Sequence, residues 1–390
     1  MQLLLRLVAA ACTASSSAAA APLDAASLHA ELLRAIKPVL AAGSAKSNDT
    51  GFSFGLYSSS WNVSLATGLN DRVTKEKLRP TDMMMWGSVT KQYTAASVLR
   101  QVERGKLTLD EPIYTIIDPW LRKVNGTTLR KLWGKEVEVV SARQVIQMAS
   151  GFQDFEVEPH LRLLQNAYPD SDLDNPINAV AWTNKTFFFP PGYAAVYSSF
   201  NFEIAGLLLA ALDGASSWQT YDQRAGAMDA PLSKILRHTG FPNAGPCKNF
   251  RGGTHDGKNG STAHGYQYLR WDAVRNLDAT DQALFKLAGG GRGFKNYSDV
   301  VDMSCVSGWA CGNLAASSPD VAAFLYHYYG KHPQHGAVLK DKGLREQITT
   351  TWRAMCIQNN PTYPCTPDLN YGLGVRGIAL IVYMPSVCLR

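Results

Sequence analysis

A serine and a lysine stand three residues apart where a long helix is predicted to begin. The segment WGSVTKQYTAASVLRQVERG runs from Trp86 to Gly105, and its glycine marks the predicted helix end. Residues three apart on a helix share a face, so Ser88 and Lys91 are expected to meet. Two interpretations remain open from this pair alone. Ser88 is a helix cap and Lys91 a solvated charge, or the two are a nucleophile and its base.

The chemical interpretation has a physical basis. A serine in the first turn lies at the positive end of the helix dipole, which favours alkoxide character. A lysine one turn later can accept the serine proton once burial or neighbouring positive charge has lowered its pKa. The spacing alone is weak evidence, because a chain of 390 residues contains about one Ser-x-x-Lys by chance at average usage.

The composition is that of a globular protein, with 46% hydrophobic and 18% charged residues and a net charge of +6. Basic residues are scattered, which argues against a nucleic-acid partner. No stretch holds about 18 uninterrupted apolar residues, so no membrane span is expected. The oligomeric state stays open.

The first residues, MQLLLRLVAAACTASSSAAAAP, are typical of a secretory signal peptide over 1–21, with small residues near Ala20 that suit cleavage. Arg6 interrupts the apolar run, so an organelle transit peptide is the alternative. Residues 22–50 are predicted to form an N-terminal helix and a linker, because apolar residues recur at helical spacing over 26–41.

Two further features favour secretion. Six cysteines remain beyond Cys12, and the close pairs Cys305/Cys311 and Cys356/Cys365 are the first candidates for disulfides, leaving no free thiols. Six glycosylation sequons indicate a glycosylated exterior. They begin at Asn48, Asn62, Asn125, Asn184, Asn259 and Asn296.

The chain alternates short β-like runs with helical segments. FSFGLYSS and WNVSLATGL predict a hairpin, and LTLDEPIYTII predicts an extended segment that ends in a turn. Predicted helices include SARQVIQMASG with a capping Ser141, the buried FNFEIAGLLLAALDG, and SSPDVAAFLYHYYG with a capping Ser318. The Gly-rich segment 245–300 is predicted to be a loop or insertion that lines the substrate pocket.

Six segments in order resemble the motifs of the class C β-lactamase-like serine hydrolases, which include β-lactamases, D-alanyl-D-alanine carboxypeptidases, D-amino-acid peptidases and esterases. The matching segments are WGSVTK, MASGFQDF, PPGYAAVYSSFNFEIAGLLL, STAHGY, GNLAASSPDVAAFL and YGLGV. The resemblance implies an α/β (α+β) domain over 51–378. An antiparallel sheet from both chain ends would carry flanking helices, with a mainly helical region between them.

The resemblance also implies roles for individual residues. Ser88 would be the nucleophile, Lys91 its base or proton shuttle, and Tyr197 the residue that helps pass a proton to the leaving group. No metal or organic cofactor is implied, and the partner is a small-molecule, peptide or ester substrate. The resemblance further implies substrate contacts from Ser199, Gln153, His264, Gly265 and Tyr266.

Two departures from the family pattern stand out. Ser199 occupies a position where the family has asparagine, and a hydroxyl offers fewer donors than an amide. A His-x-Gly or Lys-Thr-Gly motif should also follow YGLG, but residues 379–390 form an atypical tail without it. Three expectations follow: an active hydrolase, a non-catalytic secreted glycoprotein with the same fold, or a chain whose sheet is incomplete because its genuine C-terminus is longer.

Overall fold

In the computed structural model, the nucleophile segment lies among helices that fill the middle of the chain. The structure describes scattered positions between 26 and 38, and then residues 51–58, 62–71, 74–157, 175–242, 266–268, 297–299, 308–330, 338–356, 366–374 and 376–378. The described positions between 26 and 38 are helical, as predicted for this segment.

The hydrophobic core of the described residues is formed mainly by α-helices. They are α1 (Thr90–Glu103), α2 (Tyr114–Asn125), α3 (Leu129–Trp133), α4 (Ala142–Ile146), α5 (Pro176–Trp182), α6 (Phe200–Leu212), α7 (Gln223–Ala227), α8 (Ala230–Ile235), α9 (Trp309–Gly312), α10 (Ser318–Tyr329) and α11 (Lys342–Thr350). Short 3₁₀ turns cover Gly87–Val89, Gly134–Val139, Phe155–Val157 and Trp218–Thr220. None of the helices in the described residues is long and apolar enough to cross a membrane.

The strands form several small sheets. They are β1 (Gly51–Tyr57), β2 (Asn62–Gly68), β3 (Met84–Met85), β4 (Ala195–Val196), β5 (Thr239–Gly240), β6 (Tyr266–Tyr268), β7 (Tyr297–Asp299), β8 (Ala315–Ala316), β9 (Arg353–Cys356), β10 (Thr366–Tyr371) and β11 (Arg376–Ile378). The orders are β1-β2, β11-β10-β9-β4, β3-β8-β5 and β6-β7. All pairs are antiparallel except β4 with β9.

A single sheet built from both chain ends was expected, and the described strands do not join into one. The predicted hairpin is confirmed as β1 and β2, which pair from Gly51↔Gly68 to Tyr57↔Asn62. It packs against α10, where Ser53 Oγ lies 2.6 Å from Ser318 Oγ. Most of the other strands are two to four residues long, and they pair into separate sheets of two to four strands.

Helix α6 lies at the centre of the core. Its residues from Phe200 to Ala210 are all buried, so the helix is apolar on every side, as the sequence predicts. Helices α1, α2, α4, α5 and α9 all contact it. At Gly206 a Cβ atom would lie 2.5 Å from Ala310 Cβ, so only glycine lets α6 and α9 approach this closely. Helix α1, which carries Lys91, and helix α9 thereby both pack against α6.

Two local predictions are wrong. The segment predicted to be extended over LTLDEPIYTII enters α2 at Tyr114, because Ile117, Trp120 and Leu121 recur at helical spacing and bury one face. The cap of α10 is Ser317 rather than Ser318, since Ser317 Oγ accepts the N–H of Asp320. By contrast, Ser141 caps α4 as predicted.

Candidate active site

Ser88 lies in the 3₁₀ turn that leads into α1. Two hydrogen bonds from Trp86 anchor this turn. Its backbone N–H donates to Leu314 O at 2.9 Å, and its indole N–H donates to Ala316 O at 2.8 Å. Gly87 precedes the serine with φ +48°, a left-handed conformation that suits glycine. The Ser88 side chain is exposed and makes no capping hydrogen bond to the helix, so the cap interpretation fails.

Lys91 is a buried cation with an acceptor for each of its donors. Only 2% of the residue is exposed. Its Nζ donates to Ser88 Oγ at 3.0 Å, to Ser199 Oγ at 3.2 Å and to Cys311 O at 3.0 Å. An ammonium has three N–H donors and no acceptor, so this set uses its full capacity. The interpretation of Lys91 as a solvated surface charge is wrong.

The charge state of Lys91 reflects opposing influences. Burial is the largest influence and lowers the pKa of Lys91, whereas the negative charge that Cys311, Tyr197 and Glu156 can carry raises it, and the net shift is upward. The resting side chain is therefore an ammonium, in keeping with its three acceptors. It must lose a proton before it can act as a base.

Tyr197 completes the contacts to the nucleophile. Its hydroxyl donates to Ser88 Oγ at 2.5 Å, and its ring centroid lies 5.2 Å from Lys91 Nζ. The tyrosine follows β4, whose residues Ala195 and Val196 pair with β9. The sheet thus fixes Tyr197 from one side, and α6, which begins three residues later, fixes it from the other.

A second layer of polar contacts positions Ser199. Its backbone N–H donates to Asp154 Oδ1 at 3.1 Å, and Asp154 is buried. Two residues further on, in the first turn of α6, Asn201 Oδ1 accepts the hydroxyl of Ser150 at 2.5 Å. The segment MASGFQDF therefore acts mainly as a brace for the start of α6.

The other predicted substrate contacts fare differently. The backbone O of Gln153 accepts the Ser198 hydroxyl at 3.2 Å, so this residue lies next to the cluster. Its side chain donates instead to Thr186 Oγ1 at 2.6 Å. His264 and Gly265 lie outside the described residues. For Tyr266 the structure gives only its place in β6. The Gly-rich segment 245–300 falls mostly outside the described residues as well.

Cys311 is a free, buried thiol, so the predicted pairing Cys305/Cys311 and the expected absence of free thiols are both wrong. The residue lies in α9, which contacts α1 and α6. Burial raises the pKa of this thiol well above its usual range, and the charge of Glu203 raises it further. The pairing Cys356/Cys365 stays a prediction, because Cys365 lies outside the described residues.

The YGLG segment packs behind the nucleophile helix. Gly374 donates its N–H to Ile146 O at 2.8 Å. Its φ is +80°, and a Cβ there would lie 2.2 Å from Ala95 Cβ in α1. Only glycine lets the chain pass this close to α1 in such a conformation. The residues where a third motif would be sought come after 378 and lie outside the described part.

No cluster of three or more metal-ligating His, Cys, Asp or Glu side chains occurs among the described residues. The chemistry of the donors that meet at Ser88 is that of an amine, a phenol and hydroxyls. These groups can exchange protons with a serine nucleophile and hold it in place.

Solved structures of the same fold include several hydrolases. One is a D-amino acid amidase from Ochrobactrum anthropi SV3 complexed with L-phenylalanine amide, with 18% identity and TM-score 0.58, covering 89% of this chain and 80% of that one. Another is a D-stereospecific amidohydrolase from Streptomyces sp., with 19% identity and TM-score 0.57, covering 90% and 83%. A penicillin binding protein from Bacillus halodurans has 17% identity and TM-score 0.54, covering 87% and 81%.

At such identities the solved structures show the fold alone, which is the mixed α/β fold that the sequence predicted. The family assignment comes from a comparison with family models. The model described as Beta-lactamase matches residues 40–377, which is most of the chain and includes every motif segment quoted above. The chain therefore belongs to the Beta-lactamase family.

Proposed function

We propose that this protein is a serine hydrolase that cleaves an amide, a β-lactam or an ester through an acyl-enzyme on Ser88. One observation carries the proposal: the exposed Ser88 Oγ accepts hydrogen bonds from both Lys91 Nζ and Tyr197 OH. A serine that served only the helix would bond to the backbone, whereas this one bonds to two proton-exchanging groups.

The proposed reaction moves one proton through the cluster. Lys91 in its neutral form takes the Ser88 proton as Oγ attacks the substrate carbonyl carbon and forms the C–O bond. The tetrahedral intermediate then collapses, and the leaving nitrogen or oxygen takes a proton from Tyr197, which regains one from Lys91. Water then attacks the acyl carbonyl carbon and gives one proton to neutral Lys91, which passes it to Ser88 Oγ as the Oγ–C bond breaks and the acid is released.

Amides are the first substrates to test. Two structural relatives are, by their names, a D-amino acid amidase and a D-stereospecific amidohydrolase. An amide also requires a proton on its leaving nitrogen, which is the step that Tyr197 is placed to assist. A β-lactam is a strained amide, and an ester has a better leaving group, so the same cluster suits both.

The proposal extends to where the protein works. We propose that it is secreted and glycosylated. Asn62, Asn125 and Asn184, which begin three of the six sequons, are all exposed in the structure and so accessible to modification. Glycosidase treatment of the secreted protein should lower its apparent mass on a gel. An unchanged mass would contradict this part of the proposal.

The test of activity is a substrate panel on the purified chain. D-amino-acid amides, nitrocefin and p-nitrophenyl esters are assayed with wild type, Ser88→Ala and the control Ser216→Ala, which removes an exposed hydroxyl near the end of α6. We expect the wild type and the control to turn over at least one substrate class. We expect Ser88→Ala to turn over none of them. Inactivity of the wild type on every class would favour a non-catalytic glycoprotein, and turnover by Ser88→Ala would overturn the proposal.

A further inference from the structure

A cavity lined by charged side chains lies at the C-terminal end of the nucleophile helix. Its volume is about 570 Å³, within the range of small-molecule sites. The charged groups that line it are three cations and three carboxylates: Arg100, Arg104, Lys340, Glu103, Asp229 and Asp341. The two sets of charges differ in what they already bind.

Each carboxylate already accepts backbone hydrogen bonds. Glu103 Oε1 accepts the N–H groups of Lys340 and Asp341, each at 2.5 Å. Asp229 accepts the N–H of Leu232 at 3.0 Å and so caps α8. Asp341 caps α11 in the same way, at 2.9 Å. These three side chains therefore have structural roles.

The cations are not engaged in this way. Arg100 is only 7% exposed, and among the described residues its guanidinium makes a single hydrogen bond, from Nη1 to Ala227 O at 3.4 Å. Within the described part of the chain, no carboxylate lies within 4.0 Å of the charged nitrogens of Arg100, Arg104 or Lys340. Burial, followed by the positive charge of Arg104, lowers the pKa of Arg100, whereas the carboxylates of Asp229 and Glu103 raise it, and the net shift is downward.

Arg224 shows what a structural arginine looks like in the same fold. Its Nε donates to Thr239 O at 3.1 Å, and its Nη2 donates to Ser233 O at 3.0 Å and Leu236 O at 2.9 Å. A buried charge is costly unless it is paired or hydrogen-bonded. Arg100 has one such bond where Arg224 has three, so its remaining donors are available to a ligand.

We propose that this cavity binds a small oxyanion, a carboxylate or a phosphate, through the guanidinium groups of Arg100 and Arg104. The planar fork of a guanidinium matches the two oxygens of either group and forms charge-assisted hydrogen bonds. The C-terminal end of α1 carries partial negative charge, so the arginines rather than the helix supply the attraction. Lys340 lies at the same cavity and adds a third cation, alongside the three carboxylates whose oxygens accept backbone hydrogen bonds.

The test is direct binding by isothermal titration calorimetry to the full chain. Sodium phosphate and sodium citrate are titrated separately, with sodium chloride at matched ionic strength as the reference. Saturable binding of one or both is expected, and the two titrations distinguish a phosphate from a carboxylate ligand. We expect Arg100→Met to weaken binding at least tenfold and Arg104→Gln to weaken it severalfold. Lys131→Gln, which removes an exposed charge on α3, should leave binding unchanged.

Two results would overturn the proposal. One is the absence of saturable binding to either anion in the wild type. The other is binding that Arg100→Met and Arg104→Gln leave as strong as in Lys131→Gln. Should Arg100→Met fail to fold, the exposed Arg104→Gln decides alone. Because the readout is binding rather than turnover, the result does not depend on the activity proposed for Ser88.

Discussion

Helix α1 carries a buried cation near each end, and the two are held in opposite ways. Lys91, in the first turn, donates to three acceptors, two of them contributed by segments more than a hundred residues away in sequence. Arg100, nine residues later and about 13 Å along the helix, makes one long hydrogen bond to a carbonyl. Both side chains are buried by the same helix and the same core.

The difference shows how burial is used at each end. At Lys91 the surrounding acceptors offset the cost of burying a charge, so the amine is held at one position against the nucleophile. At Arg100 the cost is only partly offset, and the cavity beside it leaves room for the missing partner. In our proposals, the first end serves chemistry on the exposed Ser88, and the second end binds a ligand.

The largest effect should come from removing the amine at the first end. Lys91→Met keeps the length of the side chain but cannot accept a proton, so we expect amide or ester turnover to fall by about a thousandfold or more. Initial-rate assays measure this. The matched control is Lys106→Met, which lies just beyond α1 on the surface and should retain wild-type turnover.

The pH profile sharpens this prediction. Burial lowers the pKa of Lys91 but neighbouring negative charge raises it, and the net shift is upward. The neutral, basic form is therefore scarce at neutral pH and becomes more abundant as the pH rises. Wild-type kcat/KM should therefore increase from neutral to alkaline pH. A flat profile, or near-normal turnover by Lys91→Met, would show that Lys91 is not the base.

A smaller loss is expected at Tyr197. Tyr197→Phe keeps the ring beside Lys91 and removes only the hydroxyl that lies 2.5 Å from Ser88 Oγ. We expect turnover of an amide to fall about a hundredfold, and that of an ester with a good leaving group to fall less, because the latter needs less proton assistance. Equal losses on both substrates would instead indicate that the tyrosine only positions Ser88.

The last prediction compares the effects of replacing Arg100 and Arg224 on the free energy of unfolding. Arg224→Met leaves three carbonyls without their donor and should lower the free energy of unfolding by about 2–3 kcal/mol. Arg100→Met should lower the free energy of unfolding by less than about 1 kcal/mol or should raise it, because the charge that it removes is buried with a single hydrogen bond. Urea unfolding of both variants tests the contrast. A larger loss for Arg100→Met would mean that its guanidinium is a structural element rather than a free one.

The sequence was enough to predict which side chains meet at the N-terminal end of α1. The spacing of Ser88 and Lys91 places both on one helix face, and the ordered motifs supplied Tyr197 and Ser199. The third acceptor of Lys91 is a backbone carbonyl at Cys311, and a carbonyl leaves no residue signature. The role of Asp154 as a brace for Ser199 was hidden within a motif that the sequence associated with substrate.

The misses have physical causes as well. Five residues lie between Cys305 and Cys311, but this spacing does not determine where the side chains point, and Cys311 is buried in α9, which contacts α1 and α6. Adjacent serines at 317 and 318 offer the same side chain to the start of α10, so the cap could be placed only to within one residue. The cavity at Arg100 has no motif, because it depends on which donors remain unused after folding.

The most direct test of the account is to find the atom that becomes acylated. The chain is treated with a fluorophosphonate, its intact mass is measured, and the adduct is located after trypsin digestion. The account predicts one adduct per chain, on the peptide 78–91 that ends at Lys91, and none in Ser88→Ala. An adduct on any other peptide, or one that persists in Ser88→Ala, would contradict the assignment of Ser88 as the nucleophile.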